Sequence, residues 1–227
     1  MSKVLIVPDV HGRTFWHKAE ELINDVDKVV FLGDYLDPYS EEGISFEQAL
    51  EEFKKILQFK ETYPDKVVLL IGNHDMHYIN LRFMDCSRLN TAMRSELHSL
   101  YQEHLDKFAL IYNLENKWLF SHAGIYQAWM NKYELTLDDL LDVTEFLREH
   151  WLTLEDLSYY RGGYNYTGSC VWADIRESLR HPMLPNIRHI VGHTQLSENP
   201  YTTDNVVCVD VRRCFILDTD TNEIVDA

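Results

Sequence analysis

Lys66-Val-Val-Leu-Leu-Ile-Gly-Asn-His-Asp75 decides how this chain folds. Five apolar residues, three of them β-branched, run straight into a glycine and three polar side chains. An uninterrupted run of this length suits a strand buried on both faces, as in a parallel sheet. Gly72 is expected to turn the chain at the strand end, where a Cβ would obstruct it. Asn73, His74 and Asp75 then fall in the crevice at the strand's carboxyl end, where open α/β sheets bind ligands.

The arrangement recurs. Val4-Leu-Ile-Val7 runs into Pro8-Asp9-Val10-His11-Gly12, and Val29-Val-Phe-Leu32 into Gly33-Asp34-Tyr35-Leu36-Asp37. Trp118-Leu-Phe120 runs into Ser121-His122-Ala123-Gly124, and the apolar stretch from Ile187 to Val191 into Gly192-His193-Thr194. Five strands therefore end in Asp, Asn or His beside a glycine.

Between them the chain alternates. Phe15, Ala19, Leu22 and Ile23 have helical spacing, and Ser45 with Gln48 three residues on predicts a capped helix ending near Thr62, before Pro64. This β-α-β-α-β order implies parallel strands joined by right-handed crossovers. Residues 76–107 and 126–160 read as helical. Phe108 to Leu114 and Lys117 to Ser121 read as a hairpin around Glu115-Asn116. Val206 to Val211 and Cys214 to Leu217 read as a closing hairpin. The expectation is one α/β domain over residues 1–227, a four-layer α/β/β/α sandwich of two mixed sheets flanked by helices.

Composition narrows the function. With 37 acidic against 21 basic residues the formal net charge is −16, which disfavours nucleic-acid backbones and anionic membranes as partners. No apolar run approaches the ~20 residues of a membrane span. The first strand begins almost at once, without the layout of a signal peptide. The four cysteines form no Cys-x-x-Cys pair and read as buried thiols in a reducing, cytoplasmic compartment.

Asp9, His11, Asp34, Asp37, Asn73, His74, His122 and His193 are the polar residues at the five strand ends. Carboxylates, imidazoles and one amide suit a divalent ion such as Mn, Fe, Zn, Ni or Mg. The set is too large for one closed tetrahedral site, whereas two metals sharing a carboxylate would use it and could clamp both oxygens of an in-line displacement.

In this order, Asp-x-His-Gly, Gly-Asp-x-x-Asp, Gly-Asn-His-Asp, Ser-His-Ala-Gly and Gly-His-Thr resemble the calcineurin-like metallophosphoesterase superfamily. Gln195 after Gly192-His193-Thr194, and Trp172-Ala173-Asp174, are similar to its serine/threonine phosphatase and diadenosine-tetraphosphatase branch. The resemblance implies two divalent ions, Mn above all. Asp9 and His11 would bind one, Asn73, His122 and His193 the other, and Asp34 both. It implies a metal-bridging hydroxide as nucleophile, His74 as proton donor to the leaving oxygen, and Asp37 orienting His74.

Two positions depart from the branch. Pro38 and Ile71 stand where it carries phosphate-clamping arginines. Arg13, Arg82, Arg88, Arg161 and Arg176 are the candidate replacements, with Arg13 and Arg161 preferred as substrate-binding residues. The expected substrate is a phosphomonoester or a small phosphoanhydride such as a dinucleoside polyphosphate, ahead of a phosphoprotein. The alternative is a metal-binding regulatory or scaffold protein with weakened catalysis.

Overall fold

The computed structural model describes residues 2–227. In chain order its elements begin with β1 (Lys3–Val7), α1 (Lys18–Leu22), β2 (Lys28–Phe31), α2 (Phe46–Thr62), β3 (Val67–Leu70), α3 (Asn73–Ile79) and α4 (Arg94–Glu103). Then follow β4 (Phe108–Ala109), β5 (Ile111–Leu114), β6 (Trp118–Ser121), α5 (Gln127–Lys132), α6 (Val143–Glu149) and β7 (Arg188–Val191). The last are β8 (Tyr201–Thr202), β9 (Val206–Cys208), β10 (Phe215–Asp218) and β11 (Glu223–Asp226).

These strands form two mixed sheets. The first has the order β11-β10-β1-β2-β3-β4, parallel from β1 to β4 and antiparallel at β10 and β11. The second has the order β5-β6-β7-β9-β8, with a parallel centre β6-β7-β9 and antiparallel edges.

Strand alternation explains the layering. In β1, Leu5 and Val7 join Val29, Phe31, Val67 and Leu69 in a core shared with Ala49, Phe53 and Ile56 of α2. Val4 and Ile6 point the other way, with Val30, Leu32 and Leu70, against Phe120, Ile190 and Val207 of the second sheet. Apolar side chains on both faces are why β1, β2 and β3 carry unbroken apolar runs. Tyr126, Ile175 and Met183 cover Val191 and Cys208 on the second sheet's other side. The four-layer expectation matches this arrangement. The cap on α2 also forms as read: Gln48 N–H donates to Ser45 Oγ, and Ser45 N–H to Gln48 Oε1.

Three expectations need correction. The run 108–114 is not one strand: β4 pairs with β3 in the first sheet and β5 with β6 in the second, so the chain changes sheets at Leu110. The closing hairpin does not exist: β9 lies in the second sheet beside β7, while β10 pairs with β1 in the first. Residues 76–107 and 126–160 are short helices and 3-10 turns joined by loops. For the strands local pattern gave the element type, but the partner is set by burial that local pattern does not encode. The hairpin of β5 and β6 is as expected, with Glu115 and Asn116 both at positive φ, the backbone of a tight hairpin turn.

His189, in the middle of β7, is fully buried with Nε2 3.3 Å from the Leu184 carbonyl oxygen. Burial pushes its pKa down to about 4. Below the ordinary value near 6.5 the unfolded chain binds this proton and the folded chain does not, so stability falls as pH drops from about 6.5 towards 4. At pH 5 the loss is about 2 kcal/mol. His189→Leu should flatten the acid side of the stability profile by that amount in urea unfolding at pH 7.5 and pH 5. An unchanged pH dependence would contradict it.

Candidate metal centre

The carboxyl ends of β1, β2 and β3 in one sheet, and of β6 and β7 in the other, bring Asp9, His11, Asp34, Asn73, His122 and His193 together. His11 Nε2 lies 3.5 Å from Asp34 Oδ2 and His122 Nε2 lies 3.6 Å from the same oxygen. His122 Nε2 is also 3.0 Å from Asn73 Oδ1 and 3.1 Å from His193 Nδ1. The His193 backbone N–H faces both Asp9 carboxylate oxygens at 3.0 and 3.1 Å.

Glycine makes this convergence fit, though not as the sequence suggested. Gly72 has φ −99°, ordinary extended backbone, so no turn requires glycine there. Its role is space: a Cβ on Gly72 would land on the Asp34 carboxylate, and one on Gly192 on that of Asp9. The unusual backbone sits instead on polar residues at the strand ends. His11, Asp34, Asp37 and His193 all adopt positive φ between 46° and 60°, sparsely populated by residues with a Cβ and common at functional sites.

Asp75, the last residue of the opening stretch, holds the frame. Its buried carboxylate accepts from the backbone N–H of Asp34 (2.8 Å) and of Gly72 (2.7 Å), and from the Tyr101 hydroxyl (2.7 Å). Strands β2 and β3 are thereby pinned at the point where their functional residues begin. The His74 N–H at the start of α3 donates to Asp34 Oδ1 at 2.9 Å. Backbone carbonyls orient the imidazoles: His11 Nδ1 is 2.8 Å from Leu36 O, and His122 Nδ1 is 2.7 Å from Leu32 O. Each leaves Nε2 directed at the cluster.

The electrostatics fit cations. Burial, then the neighbouring Asp210, pushes the Asp9 carboxyl well above the usual range, and burial, then Asp75, does the same to Asp34. Burial drives the His11 and His193 imidazoles well down, towards the neutral form that ligates metal. Packed carboxylates and unprotonated imidazoles gain most from divalent ions between them. His193 Nε2 is buried without a hydrogen-bond partner, a further donor atom with no other task. Two donor groups emerge, each with its atoms within 4.8 Å: Asp9, His11 and Asp34; and Asp34, His122 and His193. Asp34 belongs to both.

Beside them lies a third group, Asp37, His74 and His77. His74 Nδ1 is 2.8 Å from Asp37 Oδ2, and the Tyr78 hydroxyl donates to Asp37 Oδ1. His77, outside the strand-end motifs, is fully buried with Nε2 2.9 Å from Asp37 Oδ2, close but poorly aligned for a hydrogen bond. Burial alone would raise the Asp37 carboxyl. Hydrogen bonding from His74 and the contact with His77 outweigh it and hold Asp37 below its ordinary value. Burial pushes His74 down to about 4 despite Asp37.

The preferred arginines are engaged elsewhere. Arg13 forks onto Glu42 through Nε (2.7 Å) and Nη2 (2.9 Å), with Nη1 on the Asp9 carbonyl oxygen. Arg161 is 3.0 Å from Asp174 and donates to Thr194 Oγ1 at 2.7 Å. Both brace the walls of the centre and have few donors to spare for a ligand. The arginine that reaches His74 is Arg88, with Nη2 3.3 Å from His74 Nε2. Sequence reading also passed over Asp210, buried near Asp9 and raised to about 6 by burial. The signal was present: Val206-Val-Cys-Val-Asp210 is another apolar run ending in an acid, hidden by its assignment to a hairpin.

Comparison with known proteins agrees with this geometry. Residues 2–203 match the calcineurin-like phosphoesterase family. Human serine/threonine-protein phosphatase 5 is 23% identical over 143 residues, 61% of this chain and 26% of that protein. A probable serine/threonine-protein phosphatase of Encephalitozoon cuniculi is 30% identical over 136 residues, 56% of this chain and 27% of that protein. The chain thus spans about a quarter of the length of these curated relatives. Among solved structures, the cold-active protein-tyrosine phosphatase of a psychrophilic Shewanella superposes with a TM-score of 0.60 at 19% identity, covering 97% of this chain and 76% of that one. A Saccharomyces cerevisiae serine/threonine phosphatase superposes with a TM-score of 0.55 at 14% identity, covering 100% of this chain and 80% of that one. The chain belongs to the calcineurin-like phosphoesterase family.

Proposed function

We propose that the protein is a dinuclear metal-dependent phosphoesterase that hydrolyses a phosphomonoester or a small phosphoanhydride in one step. The observation that carries this reading is the shared Asp34, common to two donor groups that meet where the strand ends of the two sheets converge. Asp9 and His11 would hold one ion, Asn73, His122 and His193 the other, and Asp34 both. Two divalent ions, Mn foremost, would supply Lewis acidity and lower the pKa of a water to make it the nucleophile.

The chain's own groups do the rest. Asp37 fixes the His74 ring through Nδ1, leaving Nε2 free of that carboxylate, 3.3 Å from Arg88 Nη2. His74 Nε2 would donate a proton, or a hydrogen bond, to the leaving oxygen. Burial keeps the free imidazole neutral. An anionic phosphoryl group arriving beside it favours the protonated form that this role needs.

The phosphatase names of the relatives support an ester substrate, and the net charge of −16 disfavours nucleic acid. Among the described residues no helix is long and apolar enough to cross a membrane, and all four cysteines are buried and unpaired. The latter supports a reducing, cytoplasmic setting. A chromogenic aryl phosphate with added Mn should be hydrolysed, and chelation should abolish the reaction. Turnover that survived both chelation and Asn73→Ala would refute the reading. Robust metal loading without turnover on any phosphate ester would favour the alternative, a metal-binding regulatory protein, whose support is the loss of arginine at positions 38 and 71.

A further inference from the structure

We infer that Arg88 is the anchor for the phosphoryl group, binding its non-reacting oxygens and selecting a terminal phosphate over an internal, diester-type one. The inference rests on the hydrolase reading above and narrows its substrate class.

Arg88 lies in the loop between α3 and α4, with its own backbone at φ +65°. Two contacts fix its guanidinium. Nε donates to the Asp37 carbonyl oxygen at 2.9 Å, and the group lies 3.8 Å over the Tyr39 ring. Tyr39 in turn meets His11 edge-on at 5.1 Å, so the stack abuts the donor cluster. The Nη2 edge faces His74 Nε2, the atom assigned to the leaving oxygen.

This guanidinium is also uncommitted. Arg13, Arg94, Arg161 and Arg176 each hold a carboxylate within 3.0 Å. Among the described residues Arg88 has none within 4.0 Å, and its Nη1 has only a long 3.4 Å contact with Ser87 Oγ. An arginine left without an acidic partner in a chain of net charge −16, yet held rigid beside buried histidines, is placed for an anion from outside. A planar fork matches two phosphoryl oxygens, and stacking on Tyr39 leaves its edge free to do so. Its positive charge already acts on His11, Asp34 and His74, so it lies within electrostatic reach of the reacting position.

The selectivity follows from counting oxygens. A terminal phosphoryl group has three non-bridging oxygens, whereas an internal phosphate or a diester has two. The third oxygen, and the second negative charge, give the Arg88 fork something to hold that a diester lacks. A monoester, or an anhydride cleaved at its terminal phosphate, is therefore favoured over a symmetrical dinucleoside polyphosphate.

The test compares an aryl phosphate monoester with a bis-aryl phosphate diester in Arg88→Ala, Arg88→Lys and the exposed surface control Arg180→Ala. Metal content and inorganic phosphate binding by calorimetry are read alongside. Arg88→Ala should lower kcat/KM for the monoester about 10- to 100-fold, chiefly through KM, and weaken phosphate binding by a similar factor. Diester turnover should stay within about threefold, and Arg88→Lys should recover part of the loss. Unchanged monoester kinetics and phosphate affinity, with wild-type turnover of both esters, would overturn the anchor and leave the hydrolase reading standing. Equal loss on both esters with unchanged phosphate affinity would also overturn it, since Arg88 would then act only through His74. A wild-type protein inert towards both esters, yet binding phosphate through Arg88, would instead sink the hydrolase reading and keep the anchor.

Discussion

Asp34→Asn is expected to cut hydrolysis of an aryl phosphate by more than ~10²-fold and to lower the number of ions retained after dialysis. Losing a hydrogen-bonding group one step removed from a metal already costs about 10- to 100-fold in affinity or activity, and Asp34 would touch both ions. Its carboxylate is the one feature common to the two donor groups. It lies 3.5 Å from His11 Nε2 and 3.6 Å from His122 Nε2, and Oδ1 accepts from the His74 N–H. Asparagine keeps the shape and one oxygen but loses the charge that holds two dications close together. Folding should survive, because burial raises the Asp34 carboxyl and a neutral group relieves that cost when no metal is present. Full activity in this variant, at unchanged ion content, would show that the two groups do not act as one centre.

His74→Ala is expected to separate chemistry from metal binding. Turnover should fall about 10²- to 10⁴-fold, the usual contribution of positioned proton transfer, while ion content stays at the wild-type level. His74 lies outside both donor groups that contain Asp34, and its ring is tied through Nδ1 to Asp37. The loss should shrink for aryl phosphates with acidic leaving groups, which need little proton donation. Asp37→Asn should follow the same trend more weakly, because Tyr78 and His77 still surround the position. A loss of turnover that is the same for every leaving group would rule out proton donation by His74.

The convergence of these side chains was legible in the sequence because strand ends announce themselves. An apolar run such as Val67–Leu70 must be buried on both faces, so the first polar residues after it emerge at the sheet's edge. Repetition in five strands gave Asp9, His11, Asp34, Asn73, His122 and His193 without coordinates. Gly72 was located but misread, because a Cβ collision with a carboxylate from another strand is not a local property. Gly72 makes room for Asp34, 38 positions earlier in the chain. Sheet membership was equally hidden: nothing within residues 108–114 says that the two halves pair with different partners. Arg88 was one of several candidate arginines, and spacing favoured Arg13 because it follows His11 closely. A loop residue can be carried a long way by its backbone, and only the fold shows that Arg88 is stacked on Tyr39 while Arg13 is spent on Glu42.

Anomalous scattering from crystals grown with Mn bears most directly on the proposed pair of ions. Two peaks on either side of the Asp34 carboxylate are the predicted result, one bounded by Asp9 and His11, the other by Asn73, His122 and His193. A single peak, or one seated among Asp37, His74 and His77 with none beside Asp34, would contradict it.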